Sequence, residues 1–168
     1  YITTLDDERV ETLRDTVTRQ VEHLSETLFD GAPHHGILVV IPRSTDADLL
    51  LASRAAHGNY QHDQRRLVSR DTGRALSHEV AHVVHHHHMD RLGQTHPMWV
   101  QEGIATLYEA WSIEDGVARF WPNERDVAIQ HLLSTDRVVT ISELTTLDPS
   151  AFHVDPMTTY AQVRSFMA

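Results

Sequence analysis

Residues 78–82 read His78-Glu79-Val80-Ala81-His82, within a segment that Asp71 or Thr72 caps as a helix running to about His88. Four residues advance a helix by ~6 Å and just over one turn, so both imidazoles project from one face, one above the other. Two ring nitrogens placed that way can share a single Zn²⁺ at roughly 2.0–2.1 Å each. Glu79, rotated slightly round the helix, can reach a metal-held water without itself being a ligand. The competing reading is plain: histidines on the surface of a polar helix need no metal.

Composition narrows what such a site could be. The 168 residues contain 14 histidines and no cysteine, which removes disulfide scaffolds, thiolate zinc sites, iron–sulfur clusters and cysteine nucleophiles together. A formal charge of −10, with 24 acidic residues against 14 basic ones, argues against a nucleic-acid partner. All of the basic residues are arginine, a bias that carries no functional argument. The longest apolar run, Ile37-Leu38-Val39-Val40-Ile41, is far short of the ~20 residues a membrane-spanning helix requires. The length fits one domain over 1–168. An opening on Tyr1 and a last helix stopping in mid-pattern suggest an excised or trimmed part of a longer chain.

Periodicity sets out the rest. Val10, Leu13, Val17, Val21, Leu24 and Leu28 recur at threes and fours, predicting an amphipathic helix over 6–29 that ends near Gly31 and Pro33. The 37–41 run reads as a buried strand. Ser44-Thr45-Asp46 can cap a short helix over 47–56. Segments 58–60 and 65–69 read as a hairpin joined through His62-Asp63. A third helix runs from about Met98 to about Trp111. Beyond it, Val127, Leu132 and Leu133 mark a helical stretch, and a last helix begins near Thr158. No internal repeat is present.

The third helix changes the weight of the motif. In Pro97-Met98-Trp99-Val100-Gln101-Glu102-Gly103-Ile104-Ala105, a glutamate stands 20 positions after His82. A catalytic zinc takes three protein ligands and keeps a fourth position for water, and two histidines plus Glu102 complete such a set. Glu102 could instead be a carboxylate at a helix N-terminus, stabilised by the dipole. Its neighbours Trp99 and Ile104 suggest burial, where an unpaired carboxylate would be costly.

Together, Ala75-Leu76-Ser77-His78-Glu79-Val80-Ala81-His82 and the Trp99-x-x-Glu102-Gly103-x-Ala105 segment resemble a gluzincin zinc metallopeptidase of the peptidase-MA-like group. Gly58-Asn59-Tyr60, Pro122-Asn123 and Tyr160-Ala161-Gln162 look like later landmarks of that group. The resemblance covers 37–168 loosely and is specific over 75–109. It implies an α+β, zincin-like fold: a small twisted sheet, an active-site helix at 72–88 and a mostly helical second half. It also implies one Zn²⁺ per chain on His78, His82 and Glu102, with Glu79 as general base and a peptide or protein as substrate. Two departures stand out. Thr106 occupies the place where gluzincins carry an acidic residue that orients a zinc-bound histidine. The anchors of the aminopeptidase branch are absent, which favours an endopeptidase.

In that chemistry Glu79 takes a proton from water and passes it to the departing amine. Tyr160 is the candidate donor to the oxyanion, set against a tyrosine that merely packs the last helix; Tyr60 and His153 rank below it. An exposed hairpin edge over 58–69 could take an extended peptide by strand addition, or simply support the fold. The run His85-His86-His87-His88 reads as a solvated, frayed helix end rather than a second metal site, and His34-His35 as a loop pair without chemistry. Two rivals remain: an inactive zincin-like zinc-binding module, and a histidine-rich metal-binding protein. The compartment is open, with an extracytoplasmic or secreted one favoured.

Overall fold

The computed structural model describes residues 2–3, 5–51 and 56–168, with only the backbone given for Ile2, Thr3 and Ser44. Contacts divide the chain into two compact units, Tyr1–Gln94 and Thr95–Ala168. The secondary structure is mixed α and β throughout, as expected for an α+β chain.

The first unit runs β1 (Ile2–Thr3), α1 (Asp7–Thr27), β2 (Leu38–Ile41), α2 (Ser44–Leu50), β3 (Gly58–Gln61), β4 (Arg66–Ser69) and α3 (Arg74–Leu92). Its sheet has the order β1-β2-β4-β3, with β1–β2 and β2–β4 parallel and β3–β4 antiparallel. Side chains alternate across a strand, and the alternation explains why the 37–41 run is apolar throughout. Val39, Ile41 and Leu67 pack with Leu13 of α1 and with Leu76, Val80 and Val83 of α3. Val40 and Val68 face the other way, onto Ala47 of α2 and Leu51. A strand covered on both faces has no polar side to show.

Element ends follow the capping residues. Asp6 accepts from the Arg9 N–H and starts α1. The helix expected over 47–56 begins earlier, at Ser44; residues 52–55 lie outside the described residues. Asp71 Oδ1 accepts from the Gly73 and Ala75 N–H groups at 2.8 and 3.1 Å, opening α3. Gly93 closes it at φ 62°, with its N–H on Asp90 O and the Gln94 N–H on Met89 O, a left-handed stop suited to glycine. The helix therefore runs a full turn past His88.

The second unit contains α4 (Met98–Leu107), β5 (Trp111–Glu114), β6 (Val117–Phe120), α5 (Glu124–Ser134), α6 (Ile141–Thr146), α7 (Pro149–Phe152) and α8 (Pro156–Met167). Here α4 and α5 both pack on α8, and Leu144, Phe152 and Val163 form a core joined by Met98, Trp99 and Tyr160. The helix expected to reach Trp111 stops at Leu107. Trp111 instead opens an antiparallel hairpin whose Asp115 and Gly116 have φ 52° and 76°, the two-residue turn that suits the twist of paired strands. Tyr108 packs edge-on against Trp111 and Phe120 and closes the hairpin onto the helix end.

Candidate metal centre

α3 carries the His-Glu-x-x-His segment in its most enclosed stretch, with His78 and Glu79 buried and His82 half-buried. Buried Gln20 of α1 donates its amide to Ser77 O at 2.6 Å. This fixes the helix one residue before His78. The apolar contacts of Leu76, Val80 and Val83 hold the opposite face against the sheet.

The two imidazoles converge. Nε2 of His82 lies 3.1 Å from Nε2 of His78, and the ring centroids are 4.8 Å apart at 73°. Two nitrogens bound at 2.0–2.1 Å to one tetrahedral ion stand ~3.3 Å apart. One nitrogen from each histidine and one carboxylate oxygen of Glu102 lie within 4.8 Å of one another, the one group of three such donors among the described residues. A donor set of two imidazoles and a carboxylate, without thiolate, suits a divalent ion such as zinc.

Glu79 is held by space as much as by its own helix. A Cβ built on Gly58 of β3 would stand 2.6 Å from Glu79 Cγ and 2.8 Å from Oε1. The carboxylate therefore rests against the bare backbone of an outer strand. Glu102, expected to be buried, is 5% exposed. Its neighbour Gly103 gives α8 its close approach, since a Cβ there would meet Met167 Cγ at 2.9 Å. The Thr106 hydroxyl donates to Gly103 O at 2.8 Å within its own helix.

Tyr160, on α8, packs on Phe152 and lies beneath the Arg125 guanidinium, 4.8 Å from the ring centroid. Its hydroxyl is 3.1 Å from His153 Nδ1. The histidine run departs from the expected frayed end. His85 is 1% exposed and stacks on Phe29, and His86, His87 and His88 are half-buried. Phe29 and the loop after α1 supply a cover that helical periodicity alone does not reveal. His86 stacks on His62, whose Nε2 meets Asp90 at 2.8 Å.

Sequence reasoning missed the positioning part of Gly58. The signal was its own residue type: a glycine inside a strand pattern marks a close approach. No known protein family, curated protein or solved structure matches the chain.

Proposed function

We propose that the chain is a zincin-like, zinc-dependent peptidase that hydrolyses peptide bonds with Glu79 as general base. The single observation that supports this most is the meeting of His78, His82 and a Glu102 oxygen within 4.8 Å, with buried Glu79 on the same helix. His78, His82 and Glu102 would hold the ion, which when bound supplies Lewis acidity and a water of lowered pKa. Glu79 receives the proton of the attacking water and delivers it to the departing amine. Burial keeps its carboxylate out of bulk solvent, and contact with Gly58 fixes its direction.

The substrate side is supplied by β3. It is an outer strand, paired on one side with β4, and Gly58 within it touches the general base. An extended peptide added along that strand would bring its backbone past Glu79, which favours internal cleavage of a chain over attack on a folded surface. Tyr160 is retained as the candidate oxyanion donor.

Replacing Glu79 with Gln tests the reading directly. Peptide hydrolysis should fall by ~10²–10⁴-fold, the share general-base catalysis commonly supplies, while metal content stays at one tightly held zinc. Hydrolysis at the wild-type rate would remove Glu79 from the mechanism. A histidine-rich metal-binding protein, the rival reading, would show no turnover to lose.

A further inference from the structure

We propose a second divalent transition-metal site in the first unit, formed by His34 and His87 and separate from the His78–His82 pair. His87 lies on the last turns of α3 and His34 on the loop between α1 and β2. Both line a cleft of about 420 Å³ that is also bordered by His35, His62, Asp63 and Asp90.

The two rings meet edge to face rather than in a stack, an arrangement that two ligands of one ion can share. The His34 and His87 centroids are 4.9 Å apart with planes at 87°, against 4.8 Å and 73° for His78 and His82. Two imidazoles on one tetrahedral ion at 2.0–2.1 Å have centroids ~5 Å apart. His62 of the cleft wall is instead stacked on His86 at 22°, an arrangement that points the nitrogens away from a common centre.

A buried nitrogen supports the same reading. His87 Nε2 is closed off from solvent and has no hydrogen-bond partner, and native interiors rarely leave such an atom unsatisfied. Burial, with His34 and Arg91 adding to it, holds this imidazole below its usual pKa.

The donor set specifies the ligand class. Imidazole without thiolate suits Zn²⁺, Ni²⁺ or Cu²⁺ rather than Mg²⁺ or Ca²⁺. Asp90 is already engaged by His62, so the remaining positions fall to water. A site with two protein ligands binds more weakly than one with three. The cleft would then fill only after the first centre.

Zinc titration of the full chain, read by equilibrium dialysis, should give one tight and one weaker equivalent. His34→Ala and His87→Gln should each abolish the weaker equivalent and leave the tight one. His34 is an exposed loop residue, so its variant keeps the fold even if the His87 variant does not. Copper(II) loaded at the weaker site should show nitrogen couplings from two imidazoles, a signal absent in His34→Ala. A wild-type chain that takes up a single equivalent, retained in both His34→Ala and His87→Gln, would overturn the proposal. So would a weaker equivalent that survives both variants, or one lost instead in His86→Ala with His34 and His87 intact. His78→Ala should leave the weaker equivalent in place, which keeps this outcome independent of the peptidase reading.

Discussion

Gly58 needs no left-handed torsion; space alone demands that it have no side chain. An added methyl would press on Glu79 Cγ and Oε1, the far end of a flexible side chain that can swing aside. The strand should therefore tolerate Gly58→Ala while the carboxylate is displaced. Displacement of a catalytic group by ~1 Å can cost ~10²-fold in rate. We expect kcat to fall by about that factor, with the unfolding midpoint and zinc content near wild type. A loss of zinc or of fold in step with the rate would show that the glycine serves packing. The His-Glu-x-x-His spacing was legible because it is set by one helix. The glycine contact was not, because β3 and α3 come together only in tertiary packing, and no local pattern names the residue opposite Glu79.

Among the elements, helix ends in the second unit are finished by long polar side chains. Buried Arg164 of α8 donates to Thr106 O, to Leu107 O at 3.3 Å and to Trp121 O at 2.7 Å, while its Nε meets Asp126 at 3.1 Å. A cation thus satisfies the last carbonyls of α4, where the helix dipole is negative. Arg125 forms a two-pronged pair with Glu109, at 2.6 and 2.7 Å, in which both side chains are nearly inaccessible. Removing one partner of such a pair leaves a buried charge and costs ~3–5 kcal/mol. Arg125→Met should destabilise the chain by about that much in denaturant unfolding, and adding Glu109→Gln should restore most of it. A loss under ~1 kcal/mol would mean that water reaches Glu109. On exposed α6, Glu143 accepts from the Thr140 hydroxyl and N–H, and these bonds hold its carboxyl below the usual range. A depressed pKa means that this support is present above the unfolded value and lost as pH falls through the folded one. Thr140→Val should raise the Glu143 pKa toward that of a free carboxylate in an NMR titration; an unmoved value would place the cause elsewhere. The Arg125 and Arg164 pairings span 16 to 58 residues and leave no periodic trace. The Asp115-Gly116 turn did leave one, yet the apolar run from Trp99 to Trp111 reads as helix throughout until that turn is given its weight.

Across the whole chain, the hydrophobic pattern specified what local periodicity can specify. The two-faced strand at 38–41, the amphipathic α1 and the central α3 all follow from apolar spacing, whereas the two-residue strand β1 is too short to carry a pattern. The same limit applies to the histidines. Fourteen of them offer many helical pairings, and spacing cannot say which are covered; Phe29 and the loop after α1 decide that by enclosing His85 and approaching His87 and His88. A set of donors brought together by the fold and scattered on unfolding makes metal affinity part of folding stability. An ion held at 100 times its dissociation constant adds ~2.7 kcal/mol, provided the unfolded chain binds it negligibly. Chelation should therefore lower the thermal midpoint by several degrees, reversibly on adding zinc back. His78→Ala should start from the lowered midpoint and respond to the chelator far less. A wild-type midpoint that ignores both chelator and zinc would mean that His78, His82 and Glu102 hold no ion in the folded chain, and the peptidase reading would fall with them.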